Sequence, residues 1–212
     1  MNFIMDESPQ GSDEWLNARA GVITASAMSK VIAKGRGNQP SKVRQDYMLQ
    51  LASERLIGRA VTEENFSTYW MQRGNELEPQ ARAWYGIKKR RTVHEMGLIY
   101  LDESRTIGAS VDGLVGDSER LLEIKCPKLS THIGYIMDGV CPAQYVPQVQ
   151  GQMWVTGLDV CDFMSFHPDS HIPAFIVTVE RDDKFIADLQ SACATFLEEL
   201  DELVQQLEEL AA

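Results

Sequence analysis

The sequence contains 212 residues and has a formal net charge of -11. Hydrophobic residues make up 44% and charged residues 24%, which is near the globular average and excludes a disordered or fibrous chain. No apolar run approaches the roughly 18 residues that a membrane span requires, and the amino terminus lacks the basic and apolar regions of a secretory signal. The four cysteines are far apart and match no metal-binding spacing. We therefore expect reduced thiols in one cytoplasmic domain that spans residues 1–212.

Charge is distributed unevenly along the chain. Residues 15–60 contain eight basic and two acidic side chains, whereas residues 180–212 contain ten acidic and two basic ones. This asymmetry favours one basic surface for a polyanion and one acidic surface that faces away from it. A solvated basic helix and a solvated acidic helix would give the same pattern.

Helices dominate the prediction for the first part of the chain. A loop over residues 35–40 is followed by a helix that should end at Gly58. A second helix is predicted over residues 62–85, because apolar side chains recur there at helical spacing. Pro79 should kink or divide that helix.

Five short apolar segments bounded by turn residues are predicted strands. They are residues 96–101, 105–114, 121–125, 161–166 and 174–180. A tight turn at residues 116–118 joins the second segment to the third. Pro147 and Gly157 frame a helix over residues 148–156, and a last helix carries a leucine stripe that should pack on the core. Strands bracketed by helices predict an α/β or α+β layered domain.

The hairpin over residues 110–125 contains the residues that indicate chemistry. Side chains two apart on a strand face the same side, so Glu123 and Lys125 should project together while Ile124 points into the core. If the turn reverses the chain, Asp112 lies within reach of Glu123. Two carboxylates and an ammonium at the end of a sheet suit Mg²⁺-assisted phosphodiester hydrolysis. An exposed Glu/Lys pair on a strand is the alternative.

Two helices carry further polar candidates. Glu78 shares a helical face with Tyr85, where a carboxylate would be buried unless it met a cation. Gln148, Gln150 and Gln152 crowd one helix and would contact phosphate or sugar, although a solvated helix face is the alternative for two of them.

Near the amino terminus, Arg19 and Ser26 supply donors that suit a phosphate. Thr24 can cap a helix that begins at Ala25. A simple helix cap with an exposed arginine is the alternative.

Six segments occur in an order that is typical of a known family. They are residues 15–26, 74–82, 110–114, 122–127, 148–156 and 179–182. Together they resemble the phage lambda exonuclease and viral recombinase exonuclease family of the PD-(D/E)xK nuclease superfamily. The resemblance implies a nuclease fold with a central mixed β-sheet flanked by helices. Val111 departs from the pattern, because it replaces the proline that gives the superfamily its name.

The resemblance also implies a function. Family members are 5′→3′ exonucleases that degrade one strand of linear double-stranded DNA from a 5′-phosphorylated end, release mononucleotides and leave a 3′ overhang for recombination. They require Mg²⁺, with two ions in each active site and Mn²⁺ as a substitute. They form toroidal homotrimers, are encoded by phages or prophages, and pair with a single-strand annealing protein.

By position, the resemblance assigns roles to the hairpin residues. Asp112 and Glu123 would bind the metal ions together with the main-chain carbonyl of Ile124. Lys125 would orient or activate the attacking water. Glu78 would complete the acidic cluster around a second metal ion or that water.

The resemblance assigns roles outside the hairpin as well. Gln150 would lie beside the active site. Arg19, Ser26 and Ser110 would bind the 5′-terminal phosphate, and Trp15 would act as a wedge where the strands separate.

Two other functions stay open. A structure- or site-directed endonuclease of the same superfamily would also cut circular DNA. A DNA-end-binding protein with a nuclease-like fold would hydrolyse nothing, but a binding module has no use for acids such as Asp112 and Glu123 that face phosphate.

Overall fold

Two mixed sheets flanked by helices make up the fold. The computed structural model describes residues 3–35, 41–61 and 69–211, and nine strands and seven α-helices lie in these ranges. The strands are β1 (Ile4–Asp6), β2 (Ile23–Thr24), β3 (Val93–His94), β4 (Leu98–Tyr100), β5 (Ile107–Ser110), β6 (Gly113–Val115), β7 (Arg120–Lys125), β8 (Val160–Phe166) and β9 (Ala174–Glu180). The helices are α1 (Asp13–Ala18), α2 (Met28–Val31), α3 (Lys42–Ile57), α4 (Tyr69–Lys89), α5 (Leu129–Asp138), α6 (Val146–Thr156) and α7 (Asp183–Ala211).

The chain crosses from one sheet to the other immediately before β6. The smaller sheet has the order β1-β4-β5-β2 and the larger one the order β3-β6-β7-β8-β9, with β7 and β8 paired in parallel. The expected α/β domain with mixed strands flanked by helices is confirmed, but the one central sheet is divided in two. The predicted strand over residues 105–114 is interrupted because the carbonyls of Val111 and Asp112 accept hydrogen bonds from the side chains of Gln10 and Arg82.

Helix α6 lies in the middle of the core. It contacts β5, β7 and β8 as well as α2 and α7, and most of its residues are buried. As predicted, Pro147 stands in its first turn and Gly157 closes it with a left-handed φ of 70°. A Cβ at Gly151 would lie 2.2 Å from Sδ of Met28, so only glycine permits this close approach to α2.

Helix α4 runs without a break through Pro79, so the predicted division of the helix is wrong. Tertiary contacts compensate for the hydrogen bond that proline cannot donate. Ala81 and Tyr85 are buried against the larger sheet, and the Tyr85 hydroxyl donates to Asp162 at 2.6 Å. The predicted part of this helix over residues 62–68 lies outside the described residues.

The basic helix α3 and the acidic helix α7 pack against each other. Arg44 forms a bidentate ion pair with Glu199, and Arg55 pairs with Asp201. The expectation that the basic and acidic segments form opposite surfaces therefore does not hold for α3 and α7. Part of the basic charge is neutralised within the fold.

The ends of α3 and the apolar side of α7 largely agree with prediction. Ser41 caps α3, and Gly58 ends it with a φ of 69°. Leu200 of α7 is fully buried and Leu203 packs partly against the core, but Leu210 is 84% exposed. The leucine stripe therefore packs on the core only over its first part.

Two expectations from the sequence concern disulfide bonds and membrane-spanning helices. None of the four cysteines forms a disulfide bond within the described residues. Within the described ranges, no helix has both the length and the apolar character that crossing a bilayer requires.

Candidate active site

Strand β7 places a carboxylate and an ammonium side by side. The Nζ atom of Lys125 lies 2.5 Å from Oε1 of Glu123, and Ile124 between them packs into the core. The predicted alternation along this strand is confirmed. The alternative of an exposed Glu/Lys pair is wrong, because the Glu123 side chain is completely buried while Lys125 is partly exposed.

Asp112 lies in the connector between the two sheets, next to the site on β7. Gly113 pairs with Leu122, which places Asp112 beside Glu123 in the register of the hairpin. One Asp112 carboxylate oxygen accepts the N–H of Ile124 at 2.6 Å. Burial and the nearby Glu123 carboxylate hold the pKa of Asp112 well above its ordinary value. The predicted approach of these two carboxylates is confirmed.

The connector that carries Asp112 is held in place by two side chains from distant elements. Nε2 of Gln10 donates to the Val111 carbonyl at 2.9 Å, and Nε of Arg82 donates to the Asp112 carbonyl at 2.7 Å. Val111, which stands where the superfamily has proline, is completely buried. These anchors fix the backbone at this point without the proline ring.

Glu78 lines the same cleft as Asp112, Ile124 and Lys125, a space of about 400 Å³. Burial raises the pKa of Glu78, while its ion pair with Arg82 on the next helical turn acts in the opposite direction. The prediction that Glu78 belongs to this cleft is confirmed, and its role there stays a prediction.

The donor set fits a hard divalent cation with few protein ligands. The buried carboxylate of Glu123 and the half-buried carboxylate of Asp112 lie beside a single ammonium, and such crowding of negative charge is costly without a cation. No cluster of three or more His, Cys, Asp or Glu side chains suited to a metal ion occurs in the described part of the chain. Mg²⁺ commonly uses one or two carboxylates and keeps several waters, so this smaller set suits it.

The glutamines of α6 divide into two groups. Nε2 of Gln148 donates to Oε1 of Glu123, and Nε2 of Gln152 donates to Oε2, each at 2.6 Å. Gln150 faces the opposite side of the helix, where it bonds the backbone of Glu180 and Asp182 at 2.9 Å. The prediction that Gln150 lies beside the active site is therefore wrong.

The reason for this error is the helical period. Residues four apart share a helix face, whereas the residue midway between them faces away. The spacing of Gln148 and Gln152 was the signal in the sequence that they act together. Gln152 also retains a buried Oε1 atom that has no hydrogen-bond partner in the structure.

Tyr145 is a residue of the cleft that sequence reasoning missed. Its ring stacks on Phe163 with the ring centres 5.3 Å apart, and Nζ of Lys125 lies 5.2 Å from the ring centre. Burial opposes the charge on Lys125, but Glu123 and Asp112 outweigh it and hold the pKa of Lys125 above its ordinary value. Lys125 is therefore a cation held between carboxylates and an aromatic face.

Two of the three predicted phosphate-binding residues, Arg19 and Ser26, line a second cavity of about 240 Å³ together with Thr24. Nη2 of Arg19 lies 3.5 Å from the hydroxyl oxygens of both Thr24 and Ser26. Ser110 does not contact this pair in the described structure; it accepts the indole N–H of Trp15 at 3.0 Å, and Arg19 lies 4.1 Å above the Trp15 ring. Ser110 is thus connected to the group through Trp15.

The side chain of Thr24 differs from expectation, and the role of Trp15 stays a prediction. Thr24 precedes a short 3₁₀ turn at Ala25–Ala27, but its side chain makes no capping hydrogen bond. Trp15 also lines a cleft of about 480 Å³ that includes Glu78 and Arg82. It therefore lies between the cavity at Arg19 and the acidic site, and its function as a wedge stays a prediction.

Comparison with known proteins adds to this geometry. Residues 14–159 match the model of the YqaJ-like viral recombinase domain. The chain belongs to this family. The predicted membership of this chain in the viral recombinase exonuclease family is confirmed. Solved structures of similar proteins agree with that assignment. LHK-Exo, an alkaline exonuclease from Laribacter hongkongensis that was crystallised with dAMP, is 40% identical and superposes with a TM-score of 0.86. The match covers 94% of this chain and 98% of that one.

A more distant solved structure shares the fold, and a viral protein matches part of the sequence. A phage-related exonuclease from Haemophilus somnus 129PT is 20% identical, with a TM-score of 0.67 over 88% of this chain and 96% of that one. Uncharacterized protein R354 of Acanthamoeba polyphaga mimivirus is 29% identical over 174 residues, which is 76% of this chain. The match spans only 30% of the mimivirus protein.

Proposed function

We propose that this YqaJ-like protein is a Mg²⁺-dependent 5′→3′ exodeoxyribonuclease. It degrades one strand of linear double-stranded DNA from a 5′-phosphorylated end, releases mononucleotides and leaves a 3′ overhang for single-strand annealing. The observation that carries the proposal is the position of Asp112 and Lys125 in one open cleft, with the buried Glu123 carboxylate in contact with Lys125. The complex of LHK-Exo with dAMP, a nucleoside monophosphate, is consistent with such a product.

Asp112, Glu123 and the Ile124 carbonyl would hold the divalent cations, two Mg²⁺ ions or Mn²⁺ in their place. When bound, these ions would neutralise the negative charge that develops on the phosphate oxygens during displacement. Gln148 and Gln152 fix both oxygens of Glu123 before substrate arrives. Such support keeps a ligand in its productive orientation.

Lys125 and Glu78 act on the attacking water from the walls of the cleft. Because Lys125 is a cation, it donates hydrogen bonds and does not take up the proton. It orients the water toward the phosphorus and stabilises negative charge there. Glu78 supplies an acceptor for the same water, and its pairing with Arg82 keeps its carboxylate in place.

The cavity at Arg19 and Ser26 accounts for the 5′→3′ direction of hydrolysis. A pocket that holds the terminal phosphate sets the distance from the strand end to the acidic site, so hydrolysis begins at the 5′ end. Phosphate contacts position DNA without reading its bases, which makes the activity independent of sequence. Ser110 and Trp15 lie between the pocket and the acidic site, where Trp15 would separate the strands.

The oligomeric state and protein partner that we propose are those that the resemblance to the family implies. The chain is one nuclease domain over residues 1–212, forms a toroidal homotrimer around the duplex, and binds a single-strand annealing protein. It is encoded by a phage or prophage and acts in the cytoplasm of a bacterial host.

The test is a digestion assay with Mg²⁺ on three DNAs. They are a linear duplex with a 5′-phosphate, the same duplex with a 5′-hydroxyl, and a closed circle. Mononucleotide release from the phosphorylated duplex, reduced by at least about a hundredfold in Lys125→Ala, would support the proposal. Cutting of the circle would indicate an endonuclease instead, and no hydrolysis of any substrate would indicate a DNA-end-binding protein.

A further inference from the structure

Lys30 is a second cation at the cavity that contains Arg19. It lies on α2, lines the same cavity as Arg19 and Ser26, and is exposed to solvent. Its Nζ atom lies 5.1 Å from the centre of the Tyr47 ring. Tyr47 is buried and its hydroxyl bonds the backbone of the Thr24 segment at 3.4 Å, so the ring is a fixed platform for the ammonium.

Neither cation of this cavity forms an ion pair within the described residues. Six arginines elsewhere do form them, at positions 44, 55, 82, 91, 120 and 181. Arg19 lies near the hydroxyl oxygens of Thr24 and Ser26 and over the face of Trp15, and Lys30 lies over the ring of Tyr47. A partly buried guanidinium without a counterion is costly, so the cavity favours an anionic ligand.

The acidic residue of the cavity offsets only part of this charge, because one carboxylate faces two cations. Glu54 lines the cavity, but its Oε2 atom accepts the N–H of Gly21 at 2.9 Å and its Oε1 atom accepts Nε2 of Gln50 at 3.0 Å. Its oxygens are thus committed to holding the loop after α1. The arginine and the lysine retain their donors for a ligand.

We propose that Lys30 is a specificity-determining residue, which binds the terminal phosphate monoester together with Arg19 and selects phosphorylated ends. The inference rests on the proposed function. A phosphate monoester carries about -1.5 to -2 charge at pH 7, whereas an internal phosphodiester carries a single negative charge. The two positive charges of Arg19 and Lys30 therefore match the charge of a phosphate monoester better than that of a phosphodiester. Arg19 offers a planar fork and Lys30 a compact point charge, so the two approach different oxygens of one phosphate.

The test measures the ratio of kcat/KM on 5′-phosphate and 5′-hydroxyl duplexes. Lys30→Gln is compared with Arg19→Gln and with Lys34→Gln, an exposed lysine outside the cavity that serves as the control. We expect Lys30→Gln to lower the ratio by about tenfold, since it removes one charge-assisted hydrogen bond, through a higher KM on phosphorylated ends. Lys30→Arg should recover most of the ratio, and Lys34→Gln should keep it.

The outcomes separate this inference from the function on which it rests. A Lys30→Gln enzyme that melts like wild type and keeps the wild-type ratio, while Arg19→Gln loses it, would overturn the role of Lys30 alone. A wild-type enzyme that digests both duplexes equally would overturn the 5′-phosphate pocket as well.

Discussion

Replacing Tyr85 with phenylalanine removes one hydroxyl from the junction between α4 and the larger sheet. Tyr85 is 1% exposed, and its hydroxyl donates to Oδ2 of Asp162 at 2.6 Å. Burial and the bond to Asp162 raise the pKa of Tyr85, so the phenol keeps its proton. Asp162 is equally buried and also accepts hydrogen bonds from Arg120 and Thr178. The variant therefore removes one of three donors from a buried carboxylate.

The expected loss follows from the charge of the acceptor. A hydrogen bond to a charged group contributes about 1.5–3 kcal/mol to the free energy of unfolding. In a domain of this size each kcal/mol shifts the Tm by roughly 2–4 °C, so Tyr85→Phe should lower the Tm by about 3–12 °C. Tyr100 is a matched control, because it is 5% exposed and its hydroxyl donates to the neutral carbonyl of Ala18 at 3.0 Å. Tyr100→Phe should cost only about 0.5–1.5 kcal/mol.

The assay is thermal and urea unfolding followed by circular dichroism for wild type and both variants. The difference between the two variants isolates the effect of the charged acceptor, since each loses one buried phenol hydroxyl. If Tyr85→Phe lost no more stability than Tyr100→Phe, the inference that Asp162, the ion-pair partner of Arg120, anchors α4 through Tyr85 would be refuted.

Three further predictions concern the site and its supports. Gln148→Leu should slow DNA hydrolysis by about 10–100-fold, because it removes a hydrogen-bond donor from Glu123. Gln150→Leu should instead lower the free energy of unfolding by about 1–3 kcal/mol. Equal effects of the two variants on activity would contradict the assignment of Gln148 to the site and of Gln150 to the opposite side of α6. Gly21→Ala should destabilise the fold by about 1–3 kcal/mol in denaturant unfolding, since Gly21 has a φ of 70° and a Cβ there would lie 2.6 Å from Cγ of Arg55; an unchanged midpoint would disagree with the structure. Chelation with EDTA should abolish nucleotide release and added Mg²⁺ should restore it, and hydrolysis that persists in EDTA would argue against the metal site.

Local sequence patterns predicted the longer elements. Strand β7 contains the buried apolar residues Leu121, Leu122 and Ile124, and β8 is apolar except for Asp162 and Ser165. The glycines after α3 and α6 end these helices with positive φ. Strands β1, β2 and β3 contain only two or three residues, which is too few to give a period. Helix α5 escaped prediction because its apolar residues are not confined to one buried face; Ile133 is 48% exposed and Met137 is 79% exposed.

The acidic site was predictable because its main residues are close in sequence. Asp112, Glu123 and Lys125 belong to one hairpin, so strand alternation and one turn bring them together. Gln10 and Tyr145 come from other elements, and only the tertiary fold reveals their contacts. The three glutamines of α6 could be sorted only once the side of the helix facing Glu123 was known.

The packing of the basic helix against the acidic helix was likewise not predictable from the sequence. Composition located the basic and acidic segments correctly, but charge along the chain does not specify which helices pack together. The pairing of Arg44 with Glu199 and of Arg55 with Asp201 depends on the contact between α3 and α7. Lys30 on α2 forms no ion pair with any other described residue and lines the cavity of Arg19.

The most direct test of the catalytic centre is the release of acid-soluble nucleotides from linear duplex DNA in Mg²⁺ by wild type and Glu123→Gln. Glu119→Gln is the control, because Glu119 is an exposed carboxylate on the same hairpin that pairs with Arg91. Thermal unfolding of each protein verifies that it is folded. We predict release by wild type and by Glu119→Gln, and a loss of more than about a hundredfold in Glu123→Gln. Undiminished release by a folded Glu123→Gln enzyme would contradict the assignment of this cleft as the catalytic centre.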